Sequence, residues 1–275
     1  MLERQVKEQW SVKYEEASFP FIQKGWVLPP NRYSDFDPFI LMAEDWFKRG
    51  AFSDHPHRGF QTVTYVIDGR LEHIDNAGGH SILEPGDIQY MNAGWAARHG
   101  EEGVEQDIAH TLQLWVNLPK FLKRTPTTYQ DVHSENAPIL KFEGGYAKIF
   151  SGEFNHIKGP LNSLVPITLA EIHLEVGQTY EHVLPVSHNT FMYMLGGEVS
   201  VGSAILKKHD VALLDEGEKL VLTAKARRTR FLVYSGEPIK EEIVQYGPFV
   251  MNTMEEIQEA YRDYQKGDFG PPAVK

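Results

Sequence analysis

Short β-forming segments separated by tight turns constrain the fold of this chain more than any other feature. The run from Thr62 to Ile67 is rich in β-branched and aromatic residues and ends at Asp68 and Gly69, a pair typical of hairpin turns. Leu71 to Ile74 is expected to pair back on that run, and Ile88 to Met91 follows a Pro-Gly-Asp turn. Strands with turns roughly every 8–12 residues predict an all-β sandwich or barrel, and a jelly-roll barrel fits this pattern.

Two pairs of metal-binding residue types accompany these strands, about forty residues apart. His55 and His57 form one pair, and His99 and Glu101 form the other. Because residues at i and i+2 of a strand point to the same face, each pair directs both ligands to one point. Three imidazoles and one carboxylate suit Fe, and also Mn, Co, Ni, Cu or Zn, and an octahedral ion would keep two positions open. The sequence therefore predicts a metal site with room for a substrate.

Several longer motifs identify the chain as a relative of a known family. They read HPHRGFQTVTYVIDGRLEH, LEPGDIQYMNAG, HGE, LQLWVNLP and, near the end, EPIKEEIVQYGPFVMNTMEEIQEAYRDYQKGDFG. In combination they resemble the pirin family of two-cupin proteins. The resemblance implies an all-β bicupin of two stacked jelly-roll β-barrels with a short C-terminal helix, and a mononuclear Fe(II) in the first barrel.

The metal ligands of the family fall on the same two residue pairs, which gives one divalent metal per chain. Two departures from the family pattern stand beside them. Gln61 occupies a position that is usually Glu, and Trp95 to Arg98 replaces a segment usually rich in Arg and Gly. Neither departure removes a ligand, and both are expected to alter substrate choice or the orientation of the histidines.

An internal repeat predicts the second barrel. Tyr65 to Gly69 resembles Tyr193 to Gly197 at an offset of 128, and Leu83 to Asp87 resembles Leu206 to Asp210 at an offset of 123. Apolar or unreactive residues then fall where the four ligands stand in the first barrel: Val183, Pro185, Leu222 and Ala224. The second barrel is therefore expected to lack the metal.

The domain boundary is placed in the Pro- and Thr-rich stretch from residue 120 to 138, which is typical of a loop. This divides the chain into a metal-binding cupin domain at 1–135 and a cupin domain without the metal ligands at 136–275. A helix over Met254 to Lys266, with a capping box at its start and a glycine at its end, is predicted to pack on a barrel.

The remaining histidines and the one dense basic run are interpreted as structural or solvated groups. His182 and His188 lie six residues apart and out of register with the ligand positions, so they are expected in turns or on the surface. Four further histidines lack a partner at strand spacing and are expected at the surface or in support of the ligands: His73, His80, His110 and His133. The run from Lys225 to Arg230 is expected to straddle a turn and a strand, with its charges in water.

Composition narrows the setting. A chain of 275 residues with 41% hydrophobic residues is long enough for two cores. Its longest apolar runs are far shorter than the roughly 20 residues of a spanning helix, and the N-terminus lacks the apolar segment of a signal peptide. The absence of cysteine fits the reducing cytoplasm, and the net charge of −11 disfavours direct binding to nucleic acid.

Similarity to pirins implies a dioxygenase that opens flavonols such as quercetin with O₂. Glu101 is then the candidate for both metal ligand and general base, because a carboxylate that loosens its coordination can accept a proton. Aromatic residues near the ligands are candidates for the lining of the pocket: Phe52, Phe60, Trp95 and Trp115. The family also implies an alternative, a metal- or redox-sensing regulator that acts through a protein partner, and cupins also include metal-dependent isomerases.

Overall fold

The structure, a computed structural model, describes residues 1–16, 18 and 20–274. The chain forms two compact units. The first barrel comprises residues 14–135, 163–165 and 239–275, and the second barrel comprises residues 1–13, 136–162 and 166–238. Strands dominate both units, which confirms the all-β class expected from the spacing of the turns.

The strands and helices follow one another in this order: β1 (Val6–Ser11), β2 (Ile22–Leu28), α1 (Tyr33–Phe36), β3 (Phe39–Phe47), β4 (Phe52–His57), β5 (Phe60–Asp68), β6 (Leu71–Asp75), β7 (His80–Leu83), β8 (Ile88–Ala93), β9 (Ala97–Gly103), β10 (Ala109–Asn117), β11 (Thr128–Val132), β12 (Ile139–Phe142), β13 (Gly145–Ser151), β14 (Glu153–Phe154), β15 (Ile157–Lys158), β16 (Ile167–Leu174), β17 (Thr179–Val183), β18 (Asn189–Gly196), β19 (Glu198–Val201), β20 (Ala204–Lys207), β21 (Asp210–Leu214), β22 (Lys219–Ala224), β23 (Thr229–Gly236), β24 (Val244–Tyr246), β25 (Phe249–Met251) and α2 (Met254–Lys266).

Antiparallel sheets build the first barrel. The larger sheet has the strand order β11-β8-β5-β10-β3-β2, and the smaller has the order β4-β9-β6-β7. Alternate residues of the strands point inward, as the period of two along a strand requires. Phe47, Val66, Leu71, Leu83 and Ala109 meet in one of the buried clusters that result. The smaller sheet brings together the two strands that carry the predicted ligands.

The second barrel repeats this plan. Its larger sheet has the order β1-β21-β18-β23-β16-β13-β12, and its smaller sheet has the order β17-β22-β19-β20. Most inward side chains are apolar, and Met192, Leu206, Leu220, Leu222 and Phe231 are fully buried in one continuous core. An apolar interior of this kind is held by packing alone.

The turn at Asp68 and Gly69 does not close a hairpin, so that expectation was wrong. β5 lies in the larger sheet, whereas β6 pairs with β7 and β9 in the smaller one. The turn therefore carries the chain across from one sheet of the jelly roll to the other. A Gly at φ +70° makes the turn tight, but turn residues cannot indicate which sheet the next strand joins.

The stretch from residue 120 to 138 is more ordered than a linker. Thr128–Val132 forms β11, which pairs with β8 at the edge of the larger sheet of the first barrel. Its alternation of polar and apolar residues is short and weak, because an edge strand buries only part of its surface. The expectation of a continuous loop was therefore wrong.

The C-terminal helix has the predicted bounds. The Thr253 side chain accepts a hydrogen bond from the backbone N–H of Glu256, and the Glu256 carboxylate accepts one from the backbone N–H of Thr253. Gly267 ends the helix at φ 87°. Ile257 and Ala260 bury one face of α2. Neither helix of the described residues is long and apolar enough to cross a membrane.

The units combine segments from distant parts of the chain. Residues 1–13 supply β1 to the second barrel, where it pairs with β21. Residues 239–275 supply β24, β25 and α2 to the first barrel. The division into cupin domains at 1–135 and 136–275 stays a prediction. The two compact units assign the first 13 residues and the last 37 residues of the chain to the opposite barrel from that division. Local sequence signals carry no information on which barrel a terminal segment will join.

Candidate metal centre

Neighbouring antiparallel strands hold the predicted ligand pairs. β4 carries His55 and His57, β9 carries His99 and Glu101, and His55 stands directly opposite His99. One ring nitrogen each of His55, His57 and His99 lies within 4.8 Å of the others. The structure therefore brings three of the four predicted residues into one group that could hold a metal ion.

Glu101 lies in an adjoining group. Its carboxylate, His99 and His73 have ligand atoms within 4.8 Å of one another. His73 stands opposite Glu101 where β6 pairs with β9, so the two strands present these side chains to the same interior. His99 belongs to both groups and connects them.

His73, expected at the surface or in support of the ligands, lies buried inside the site. It is 2% exposed, and its Nε2 lies 3.4 Å from a carboxylate oxygen of Asp75. The His-x-Asp spacing was the available signal, since residues two apart on a strand share a face. A carboxylate paired with a histidine orients that ring, as it does around many metal centres.

Two of the histidines, His57 and His99, are held in the neutral form that binds metals. Burial lowers the pKa of His99 and of His57 well below the usual 6.5. For His57 the nearby His55 acts in the same direction, and the Pro248 carbonyl partly offsets it. His55 donates from Nδ1 to the Ser53 carbonyl at 2.8 Å, which leaves the lone pair of Nε2 free.

Several buried ring nitrogens in this site lack hydrogen bonds within the described chain, which is what nitrogens that bind a metal ion would show. Among the described residues, no hydrogen-bond partner is found for either ring nitrogen of His57 or of His99. Burying an unpaired polar atom costs on the order of 1–3 kcal/mol, so native proteins rarely leave four such atoms together. A metal ion would engage one lone pair from each ring. The donor set of imidazole and carboxylate fits Fe, Mn, Co, Ni, Cu or Zn.

Hydrogen bonds hold the Glu101 carboxylate on both sides. Thr64 donates to Oε1 at 3.2 Å, and the side-chain amide of Gln113 donates to Oε2. Trp115 in turn donates to the Gln113 side-chain oxygen at 3.4 Å, which fixes the direction of that amide. Neighbours of this kind orient a ligand before any metal arrives.

Aromatic rings enclose His57. The Phe60 and Trp115 rings stack with centroids 4.1 Å apart, and each meets His57 edge-on, at 5.2 and 5.5 Å. Of the other aromatic candidates, Phe52 lines the adjacent cavity. Trp95 instead packs against the Arg58 guanidinium at 4.2 Å.

A small cavity, partly open to solvent, lies beside the ligands. Its walls combine side chains from both sheets of the barrel, including two of the predicted ligands: Asp45, Phe47, Phe52, His55, Glu101, Thr111 and Gln113. Five of these seven side chains are polar or charged, so the cavity offers directed hydrogen-bonding groups beside two aromatic rings. The cavity would place a bound molecule next to the metal.

The chain immediately after His57 is fixed by the C-terminal segment. Gly59 has φ +92°, and a side chain there would collide with the Val250 carbonyl, 1.9 Å from an added Cβ. The buried ammonium of Lys123 donates to the carbonyls of Gly59 and Val250 and to Asn117, at 2.7, 3.0 and 2.8 Å. Such contacts fix the position of the strand that carries the ligands.

Arg58 provides a second attachment. It is 1% exposed and forms an ion pair with Asp263 of α2 at 2.7 Å. Its guanidinium also lies 4.5 Å from the Phe269 ring centroid and donates to the Trp95 carbonyl. The predicted helix thus anchors the residue next to a ligand.

The two departures from the family pattern lie away from the ligands. Gln61 uses its side-chain oxygen to accept hydrogen bonds from the Tyr90 hydroxyl at 2.6 Å and from the backbone of Leu164 at 2.9 Å. It therefore holds residues 163–165 against β5. Trp95 lies between Arg58 and Arg124, with the Arg124 guanidinium at 5.1 Å.

The second barrel has a different interior. Among the described residues, no group of potential metal ligands is found there. Leu222 and Ala224 are buried as expected, but Val183 is 57% exposed. His182 is 3% exposed and stacks on Phe154 with centroids 3.5 Å apart, so its expected place in a turn or at the surface was wrong.

The other histidines mostly follow expectation. His80 and His133 are exposed and contact the carboxylates of Glu72 and Asp87, at 2.8 and 3.0 Å. His188 lies partly exposed with Ser235 at 3.2 Å. The run from Lys225 to Arg230 straddles a turn and the start of β23, as predicted.

Comparison with known proteins agrees with this architecture. A family model described as Pirin matches residues 26–116, and the Pirin C-terminal cupin domain matches residues 169–270. Pirin of Rattus norvegicus is 37% identical over 87% of this chain and 84% of its own, and Pirin-1 of Arabidopsis thaliana is 36% identical over 85% and 84%. The crystal structure of quercetin 2,3-dioxygenase from Acinetobacter baumannii superposes with a TM-score of 0.85 and 31% identity, covering 98% of this chain and 99% of that one. The chain is a bicupin and belongs to the pirin family.

Proposed function

We propose that this protein is a metal-dependent dioxygenase of the pirin type, acting on flavonols such as quercetin. The observation that carries the proposal is the cavity beside the histidine cluster. Its lining combines the ligands His55 and Glu101 with the Phe47 and Phe52 rings, so an aromatic molecule with polar groups would fit its chemistry. The similarity to the Acinetobacter quercetin 2,3-dioxygenase supports the substrate class.

The proposed ligands are His55, His57, His99 and Glu101, and the proposed metal is Fe(II). When bound, the metal would supply a Lewis acid and a meeting point for the substrate and O₂. The chain itself supplies the rest of the arrangement. Burial favours the neutral form of the His57 and His99 imidazoles, and the hydrogen bond from Gln113 orients the Glu101 carboxylate. The Phe60 and Trp115 rings shield His57 from water.

The alternative from the sequence, a metal- or redox-sensing regulator with a protein partner, stays a prediction. A partner that depends on the metal would bind without consuming O₂. The same preparation therefore separates the two functions, because only the dioxygenase needs a flavonol.

The test is O₂ uptake by Fe(II)-loaded protein with a panel of flavonols. We expect uptake to require the flavonol, with ring-opened product and carbon monoxide formed in equal amounts. His57→Ala should abolish the uptake, and His188→Ala, a change in the second barrel, should preserve it. Iron-replete protein that consumes no O₂ with any flavonol would contradict the proposal.

A further inference from the structure

A second carboxylate faces the cavity, and the metal set does not use it. Asp45 lies on β3, is 5% exposed, and lines the cavity together with His55 and Glu101. Its Oδ1 is buried and makes no hydrogen bond to any residue that the structure describes. A buried carboxylate oxygen without a donor is costly, so it is suited to a donor that arrives with a ligand.

The surroundings of Asp45 weaken its charged form. Burial raises the pKa of Asp45 to about 7, and the nearby Lys24 partly opposes this effect. Lys24 stands opposite Asp45 on β2. The acidic groups that raise the pKa further come from three parts of the barrel: Glu101 on β9, Glu44 on β3 itself, and Glu15 ahead of β2. Asp45 therefore accepts a proton more readily than an exposed carboxylate does.

Glu101 is less available for the same task. Both of its oxygens already accept hydrogen bonds, from Thr64 and from Gln113. As a proposed ligand it would also share its charge with the metal. To accept a substrate proton it would have to give up one of these interactions, whereas Oδ1 of Asp45 has none to lose.

We propose that Asp45 is a catalytic residue that accepts the proton of the substrate's acidic hydroxyl in the cavity. The inference rests on the proposed function, because it needs a flavonol-like hydroxyl. In this step the O–H bond of the substrate breaks, the proton bonds to Oδ1, and the electron pair stays on the substrate oxygen. No electrons leave or enter, so no further reactant is needed.

Proton release on binding tests the inference without turnover. Fe(II)-loaded protein would be titrated anaerobically with quercetin at a pH above the pKa of Asp45, in buffers that differ in ionisation enthalpy. In the natural protein the negative charge formed on quercetin would raise the pKa of the adjacent Asp45 carboxyl, so Asp45 would retain the proton and we expect little release to the buffer. Asp45→Asn is expected to release up to one proton more per quercetin bound. Asp45→Ser, smaller and also uncharged, should behave in the same way.

Kinetics provide the second measurement. Loss of a general base typically costs about 10²–10⁴-fold, so kcat/KM of Asp45→Asn should fall by that order, and the acidic limb of the pH profile should disappear. Asp131→Asn serves as the control, since Asp131 accepts from Gln89 and does not line the cavity. It should match the natural protein in both measurements.

Each failure has its own signature. Equal proton release and equal kcat/KM in the natural protein and both Asp45 variants would overturn the inference and leave the dioxygenase in place. Loss of bound iron or of thermal stability in the variants would also overturn it, because Asp45 would then have a structural role. If the natural protein binds no flavonol, both the proposed function and the inference fail.

Discussion

His55 and His99 face each other across the antiparallel pair of β4 and β9, with ring centroids 4.5 Å apart. This pairing matters because a shift of one residue along either strand would turn its ligands to the other face of the sheet. The register changes between Phe52 and His55, where the ladder is irregular. The regular pairing of β4 with β9 therefore covers the residues from His55 to His57. This part of β4 lies next to the segment that is fixed by the contacts of Gly59 and Lys123.

Gln113→Leu should weaken metal binding without removing a proposed ligand. The change removes the amide that holds Oε2 of Glu101, and such neighbours of a ligand typically contribute about 10–100-fold in metal affinity. Competition with a chelator measures the affinity. Gln89→Leu is the control, because its amide binds Asp131 instead. Equal affinity in the two variants would show that Glu101 needs no such support.

Asp263→Asn should destabilise the protein strongly. It leaves the guanidinium of Arg58, 1% exposed, without its carboxylate, and loss of one partner from a buried ion pair costs about 3–5 kcal/mol. Glu259 lies on the same helix as Asp263 and forms an exposed ion pair with Arg124. Glu259→Gln removes this pair and should cost at most about 1 kcal/mol. Urea unfolding of both variants gives the comparison, and similar costs would rule out the anchoring role of Arg58.

Leu222→Ala should reduce stability far more than Val183→Ala. Leu222 is 0% exposed in the second barrel, so its truncation leaves a cavity and costs about 2–5 kcal/mol. Val183 is 57% exposed, and its truncation should cost less than about 0.5 kcal/mol. Thermal unfolding measures both. A large cost at Val183 would contradict the register of β17.

His182 should make the second barrel sensitive to acid. Burial lowers its pKa from the ordinary 6.5 to about 4. Below pH 6.5 this histidine is protonated in the unfolded chain but stays neutral in the folded chain. The free energy of unfolding therefore decreases as the pH falls towards 4, by up to about 3 kcal/mol. His182→Phe, which keeps a flat ring against Phe154, should lose this part of the dependence. Parallel stability curves for the two proteins from neutral to acidic pH would refute the assignment.

Features with local signals could be predicted from the sequence. The helix over Met254–Lys266 was specified by a capping box and a terminal glycine, which act within a few residues of the chain. The strand spacing of His55 and His57 gave their common direction, because side chains alternate along any strand. Both predictions needed only neighbouring residues.

Features set by pairing between distant strands could not be predicted. The structure buries His182 and exposes Val183, the reverse of what the alignment of the repeat by sequence offset implied. An error of one residue in such an alignment assigns every side chain of a strand to the wrong face. Asp45 and His73 enter the site through the partners of β3 and β6, and for Asp45 no local sequence pattern indicates this position. The same holds for the exchange of terminal segments between the two units.

The most direct test of the metal centre combines metal analysis with X-ray absorption spectroscopy on Fe(II)-loaded protein. We predict one iron per chain with scattering from three imidazoles, from His55, His57 and His99, and loss of the iron in His99→Ala. His188→Ala should retain the full amount. Two tightly bound irons per chain, fewer than three imidazoles, or full iron content in His99→Ala would contradict the site.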